Sequence, residues 1–192
     1  DQGAVLSNLL PEPEDRGFKG AELGLIDNNT TGRFLNQKYT LETALAESPE
    51  QVSTITGQWL EQGLKIFIAD LPALQLEQLT TLARQHQALV LNAGSYDDQL
   101  RTSQCLPNTL HTLPSRAMLT DALGQWSTAR RLRDWLLIKG EQPDDIAYAD
   151  ALKRSAKRFG INIVADKTWD FDTDLRRTAQ SELPLFTQTD EY

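Results

Sequence analysis

The fold is decided by residues 64–95, which read Leu64-Lys65-Ile66-Phe67-Ile68-Ala69-Asp70, a helical stretch that ends at Gln87, and then Ala88-Leu89-Val90-Leu91-Asn92-Ala93-Gly94-Ser95. Two short aliphatic runs flank one amphipathic segment, a pattern that predicts a strand, a helix and a second, parallel strand. Because neither apolar run alternates cleanly with polar residues, we expect both strands to be buried on both faces of a sheet. The right-handed crossover rule brings the carboxyl ends of both strands to the same edge.

The loops that leave these two strands are the first candidates for a binding site. Ligands of parallel α/β sheets bind outside the carboxyl ends of the strands. The first loop begins Asp70-Leu71-Pro72, and the second is Asn92-Ala93-Gly94-Ser95-Tyr96. We therefore expect a small ligand to contact Asp70, Leu71, Asn92, Ala93, Gly94 and Ser95.

The rest of the chain repeats the alternation of helix and strand. We predict helices over residues 20–36, 48–63, 115–133 and 144–160, a last helix from residue 174, and strands over residues 39–44, 109–112, 135–140 and 161–167. This order predicts an α/β fold with a mainly parallel sheet. The helix after Arg116 connects two such groups, so we place lobe one at residues 1–120. A crossover helix and a partial lobe two then occupy residues 121–192.

Composition and charge exclude several classes of protein. The 192 residues are 40% hydrophobic and carry a net charge of −8, which argues against a nucleic-acid-binding protein. No apolar run approaches the ~20 residues that a membrane-spanning helix needs. The single Cys105 excludes an internal disulfide, so cysteine content does not indicate the compartment. Because the chain opens at Asp1, we interpret it as a processed or trimmed product.

Residues suited to covalent catalysis are few. Of the two histidines, His86 lies at a predicted helix end, where a solvent-exposed position is expected. His111 ends a predicted strand near the candidate loops, and it either contacts a ligand or is a hydrogen-bonded histidine at the rim of the core. A hydrolase needs a base beside a nucleophile, and only His111 near Ser115 offers this, without a clear orienting acid. Cys105 lacks an obvious base. We therefore predict no catalytic residues.

Two further side chains are candidates for ligand contacts. Arg116 follows a predicted helix N-cap beside the candidate loops, where it pairs either with an anionic ligand or with a surface carboxylate. Tyr148 lies one turn into a later helix. Its ring either faces the space between the lobes or packs against its own lobe.

One acidic segment has the spacing of a calcium-binding loop. Asp170, Asp172 and Asp174 match the first, third and fifth positions of such a loop. Leu175 stands where glycine is expected and Ser181 where glutamate is expected, so a turn with Asp174 as a helix N-cap explains the segment better. We predict no metal site. The chain also lacks the glycine-rich motifs of nucleotide-binding loops.

Several segments together resemble a known family. They are Gly20–Leu25, Asp27-Asn28-Asn29-Thr30-Thr31-Gly32-Arg33-Phe34, Ala69–Pro72, Asn92–Gly94, Leu110–Met118, Asp145–Ala149 and Leu175–Gln180. They resemble the type I periplasmic binding proteins of the branched-chain amino acid receptor class. Within that class they are similar to the ABC-transporter substrate-binding proteins associated with PQQ-dependent alcohol dehydrogenase systems. The resemblance runs over nearly the whole chain, and the string Asn28–Phe34 is its most specific part.

The resemblance implies a periplasmic receptor that has no catalytic residues and holds a small polar or anionic ligand between two Rossmann-like parallel-sheet lobes. It implies that His111, Ser115 and Arg116 lie at the lobe crossing, where they contact the ligand, and that Tyr148 faces the ligand from lobe two. An ABC permease is the implied partner. PQQ, a related compound or an alcohol-derived acid is the implied ligand, with no resident cofactor.

The family's members are longer than this chain. The resemblance therefore implies a fragment with an incomplete second lobe, whose cleft is either incomplete or completed by a second copy in a homodimer. An alternative is a non-transport accessory protein that docks on a periplasmic PQQ-dependent dehydrogenase. The acidic composition suits a basic partner of that kind.

Overall fold

The computed structural model describes residues 17–169 and 186–188. The acidic segment from Asp170, the predicted last helix and the segment before Gly17 lie outside these residues. The chain divides into two compact units, residues 1–65 and residues 66–192. This division falls at residue 65 and does not test the predicted lobe boundary near residue 120, which stays a prediction.

The first unit contains two helices, α1 (Phe18–Leu35) and α2 (Pro49–Glu61). Both were predicted, and α2 begins with a serine cap. Ser48 Oγ accepts a hydrogen bond from Gln51 N at 3.3 Å, and Gln51 Oε1 accepts one from Glu47 N at 2.8 Å. This reciprocal pair satisfies two backbone donors at the helix start. The helix buries one face, formed by Val52, Thr56 and Leu60.

The strand predicted over residues 39–44 is wrong, because residues 37–46 form neither helix nor strand. Asn29 on α1 takes the backbone hydrogen bonds of Tyr39 instead. Its Nδ2 donates to Tyr39 O at 3.0 Å, and its Oδ1 accepts from Tyr39 N at 2.8 Å. A Cβ atom on Gly32 would lie 2.6 Å from Gln37 O, so glycine permits the close return of the chain. The Asn28–Phe34 string therefore shapes this turn.

The second unit begins with the predicted strand–helix–strand unit. Strand β1 (Ile66–Ala69), helix α3 (Ala73–Gln85) and strand β2 (Leu89–Asn92) follow one another, and β1 pairs with β2 in parallel. A third parallel strand, β3 (Thr109–His111), pairs with β2, so the strand order is β1-β2-β3. Helix α3 packs against β2. All three carboxyl ends therefore lie at one edge of this sheet.

The expectation that both faces of the sheet are buried is wrong for β1. Phe67 and Ala69 are each 4% exposed, whereas Ile66 and Ile68 are 66% and 63% exposed. Successive side chains of a strand point to opposite faces, and α3 covers one face of the sheet. The apolar runs of the sequence therefore include residues on the uncovered face.

The remaining elements form a second parallel pair. Helix α4 (Arg116–Ala129), strand β4 (Asp134–Lys139), helix α5 (Pro143–Phe159) and strand β5 (Asn162–Thr168) follow in order. Strands β4 and β5 pair in parallel, and α4 packs on α5. The predicted α/β class with parallel strands is confirmed, although the described strands form two sheets. Among the described helices, none combines the length and apolar character that crossing a bilayer requires.

Asp166 on β5 joins β4 and α5 through two lysines. Lys153 Nζ lies 2.6 Å from Asp166 Oδ2, and Lys139 Nζ lies 2.9 Å from Asp166 Oδ1. The hydrogen bond from Lys153, supported by Lys139, holds the pKa of the Asp166 carboxyl below its ordinary value. The folded chain therefore keeps Asp166 ionised at a pH where the unfolded chain protonates it.

We expect the Asp166 carboxylate to contribute stability that is present above about pH 4 and lost as the pH falls through its lowered folded-state pKa. Asp166→Asn should flatten the dependence of the free energy of unfolding on pH in that acid range. Urea unfolding at a series of pH values measures this. Equal slopes in the Asp166 variant and the parent would contradict the assignment.

Candidate functional site

The loops after β1 and β2 meet at the carboxyl edge of the three-stranded sheet. Ala93 N donates to Ala69 O at 2.9 Å. A Cβ atom on Gly94 would lie 2.8 Å from Leu71 N and would overlap the carboxylate of Asp70. Asp70 and Ala93 are exposed, and Leu71 and Gly94 are partly exposed. The structure therefore brings both predicted loops together at one solvent-accessible edge.

Asn92 shapes the second loop from inside the protein. Its side chain is fully buried, its Oδ1 accepts from Gly94 N at 3.2 Å and from Ser95 N at 2.9 Å, and its Nδ2 donates to Ser95 O at 2.7 Å. Ser95 is also buried, and its Oγ accepts a hydrogen bond from Asp97 N. Asn92 and Ser95 thus fix the backbone that Ala93 and Gly94 present at the surface. Whether either also contacts a ligand stays a prediction.

His111 ends β3 beside Asn92. Asn92 Nδ2 lies 3.0 Å from His111 Nδ1, and because the Asn92 amide is oriented by its own loop, Nδ2 is the donor and Nδ1 the acceptor. The proton of the neutral ring is then on Nε2. Burial is the main cause that lowers the pKa of His111, and the positive charge of Arg101 is the second. A hydrogen bond to the Leu100 backbone has a smaller, opposing effect. The imidazole is therefore held neutral.

We expect His111 to make stability depend on pH between its lowered pKa and about 6.5. The unfolded imidazole binds a proton near pH 6.5 and the folded one only at lower pH, so the free energy of unfolding falls as the pH drops through this range. His111→Gln should remove that slope in urea unfolding between about pH 5 and pH 7. A slope that persists in His111→Gln would contradict this origin.

The first turn of α4 is tied to the loop after β2. Ser115 is buried, and its Oγ accepts from Met118 N at 3.3 Å, which is the predicted N-cap. Arg116 N donates to Tyr96 O at 2.9 Å. Among the described residues no hydrogen bond joins His111 to Ser115, so the serine has no base there. The geometry expected of a Ser–His hydrolase is thus missing from this pair.

Arg116 forms ion pairs within the protein. Its guanidinium lies 3.7 Å from Asp97 Oδ2 and contacts Asp144 Oδ1, so the surface-carboxylate alternative is the one observed. Since Asp144 is in the first turn of α5, Arg116 links the loop after β2 to that helix. Tyr148 is 38% exposed on α5 and has no hydrogen bond to the other candidate residues in the described chain. Its contact with a ligand stays a prediction.

Sequence reasoning missed Arg101. This residue ends the short 3-10 helix Asp98–Arg101, which lies in the connection between β2 and β3. Its Nη2 donates to Leu113 O, two residues beyond β3. Its Nη1 is buried and has no acceptor in the described part of the chain. One feature of the sequence could have indicated this residue. It is an arginine in the connection that follows Asn92, soon after Asp97, and that connection starts at the edge where a ligand was expected.

Other features of the described residues are weaker candidates for a binding site than this edge. A cavity of about 390 Å³ beside β4 is lined mainly by apolar side chains and lacks converging polar groups. Its lining residues are Leu123, Asp134, Trp135, Leu136, Leu137, Leu152 and Ile163. Within residues 17–169 and 186–188, no group of three or more His, Cys, Asp or Glu side chains is placed to hold a metal ion. Cys105 is an exposed free thiol.

Comparisons with known proteins agree at the levels of family and fold. A family profile described as "Periplasmic binding protein" matches residues 14–180. No curated protein matches the chain. A substrate-binding protein of an ABC transporter from Desulfitobacterium hafniense, solved in complex with Leu, is 18% identical. That match covers 90% of this chain and 52% of the other, with a TM-score of 0.70.

Two further solved structures are similar. A branched-chain amino acid ABC transporter periplasmic ligand-binding protein from Burkholderia xenovorans LB400 is 17% identical over 84% of this chain and 45% of its own, with a TM-score of 0.73. A solute-binding protein of an ABC transporter from R. palustris, in complex with benzoate, is 14% identical over 86% and 47%, with a TM-score of 0.62. The chain thus spans about half the length of the structures it matches. At these identities the similarity establishes the fold, which is the predicted type I periplasmic binding protein fold.

Proposed function

The chain belongs to the periplasmic binding protein family, and from that premise we propose that it binds a small solute at the carboxyl edge of the β1–β3 sheet. The observation that carries the proposal is the meeting of the two loops there. Leu71 N lies within 2.8 Å of the position of a Cβ on Gly94, and Ala93 and Asp70 are exposed beside it. Solutes of parallel α/β sheets bind at such an edge.

The solute we propose carries a carboxylate. Two similar structures hold leucine and benzoate, which share that group. The guanidinium of Arg101 lies close enough to His111 to lower its pKa. This positive charge beside the end of β3 favours an anionic oxygen over a cation.

We propose further that the protein works in the periplasm with an ABC permease and that its solute comes from PQQ-dependent alcohol oxidation. The resemblance of Asp27–Phe34 and His111–Met118 to the substrate-binding proteins of those systems supports this. PQQ itself carries carboxylates and so fits the same ligand class, as does an alcohol-derived acid. Hinge closure around such a solute is the means by which receptors of this kind report occupancy.

Calorimetric titration of the 192-residue chain with leucine, benzoate and PQQ tests the proposal. We expect saturable binding of at least one carboxylate, weakened about tenfold or more in Ala93→Trp, because the indole occupies the exposed loop. Ala122→Trp on the exposed side of α4 is the matched control and should bind as the parent does. Binding of none of these solutes would contradict the proposal, and co-elution with a PQQ-dependent dehydrogenase in that case would favour the accessory-protein alternative.

A further inference from the structure

We propose that Arg101 binds one oxygen of the solute's carboxylate, an inference that rests on the proposed function. Arg101 ends the 3-10 helix between β2 and β3, and its Nη2 donates to Leu113 O. Leu113 lies between the end of β3 and Ser115, the N-cap of α4. This bond places the guanidinium beyond the carboxyl end of β3, where its charge acts on His111, and His111 contacts Asn92 at the start of the second loop.

The second nitrogen of the guanidinium group lacks a partner. Nη1 of Arg101 is buried and has no hydrogen-bond acceptor in the described part of the chain. A charged N–H group that is removed from water without an acceptor is strongly unfavourable, so an occupant with an acceptor atom is expected. Because Nη2 is engaged by Leu113 O, a single ligand oxygen fits this arrangement better than a forked, two-oxygen contact.

Three carboxylates around the 3-10 helix and the start of α4 are already engaged within the protein. Asp97 and Asp144 pair with Arg116, and Asp98 Oδ1 accepts from Ala117 N at 2.9 Å. No described carboxylate forms an ion pair with Arg101. The described residues therefore do not compensate the positive charge of Arg101, whereas they do compensate that of Arg116.

The N-terminus of α4 does not offer a competing anion site. Its first-turn amides donate within the protein, from Arg116 N to Tyr96 O at 2.9 Å, from Ala117 N to Asp98 Oδ1 and from Met118 N to Ser115 Oγ. A helix N-terminus binds an anion through amides that are free. The anionic oxygen is therefore assigned to Arg101 Nη1 and not to the helix.

Acetate is the probe, because a small carboxylate suits an enclosed N–H group. The melting temperature of the 192-residue chain is measured in rising acetate at constant ionic strength, with acetamide as the neutral isostere. We expect a saturable rise with acetate and none with acetamide, since a ligand of the folded state stabilises it. Arg101→Gln keeps a donor for Leu113 O but loses the charge, and it should weaken the apparent affinity for acetate about tenfold or more.

Two further variants separate charge from folding. Arg101→Lys keeps the positive charge and should retain part of the acetate response, and Arg84→Gln on the exposed end of α3 should retain all of it. An unchanged response in Arg101→Gln, or no response in the parent, would overturn the assignment and leave Arg101 as an anchor for Leu113. Failure of the proposed function is distinct, because it is the absence of leucine, benzoate and PQQ binding while the acetate response persists.

Discussion

Gly94→Val is expected to abolish solute binding and to destabilise the second unit by about 1–3 kcal/mol. A Cβ at this position would overlap the Asp70 carboxylate and would lie 2.8 Å from Leu71 N and 2.9 Å from Asp70 Cα. Since two of these three atoms belong to the backbone, the loops after β1 and β2 have to separate. Urea unfolding measures the loss of stability, and calorimetric titration with the tightest of the tested carboxylates measures the loss of binding.

Gly57→Val on α2 is the matched control, because a Cβ there would meet no atom within 4 Å. It should leave solute binding unchanged and alter stability only through helix propensity, by a few tenths of a kcal/mol. If Gly94→Val were to bind and unfold as Gly57→Val does, the close contact between the two loops would not exist in solution.

Asn92→Ala is expected to destabilise the protein by about 3 kcal/mol or more. Its fully buried amide satisfies two backbone donors and one backbone acceptor of its own loop, and it donates to His111 Nδ1. Alanine leaves these buried groups without partners, and each loss costs on the order of 1 kcal/mol or more. Chemical unfolding measures the change, and the loss of loop shape should also weaken carboxylate binding.

The control for Asn92 is Asn28→Ala. Asn28 Nδ2 donates to Gly24 O at 2.7 Å on an exposed surface of α1, where water replaces the bond. Its loss should cost well under about 1 kcal/mol. Equal destabilisation by the two variants would show that the Asn92 network does not hold the loop as described.

The sequence predicted the parts of the fold that local chemistry determines. The predicted helix over residues 48–63 begins at the N-cap Ser48, the predicted N-cap before Arg116 is Ser115, and the predicted helix ends at residues 63 and 160 are glycines with positive φ. The parallel pairing of β1 with β2 followed from two apolar runs around one amphipathic helix. These features depend on neighbours within a few residues or on one crossover.

Features that depend on distant partners were missed. The 39–44 segment alternates like a strand, but the side chain of Asn29 takes the backbone bonds of Tyr39. The exposure of Ile66 and Ile68 depends on which face a helix covers, which an apolar run does not encode.

The candidate site shows the same limit. Its two loops were placed correctly at one edge, but the sequence did not single out Arg101 and left open which partner Arg116 takes. Arg116 is neutralised by Asp97 and Asp144, the second of which is distant in sequence, and Arg101 is left with a buried donor. Which arginine finds a carboxylate depends on tertiary contacts that residue type does not reveal.

The most direct test of the proposed binding site is a two-dimensional ¹H–¹⁵N NMR titration of the chain with leucine, benzoate and PQQ in turn. We expect saturable shifts concentrated in the amides of Leu71, Ala93, Gly94 and the segment His111–Arg116, together with the Arg101 side chain. Shifts that saturate elsewhere, such as around the apolar cavity beside β4, or no saturable shifts at this edge, would contradict the claim that the solute binds where the loops after β1 and β2 meet.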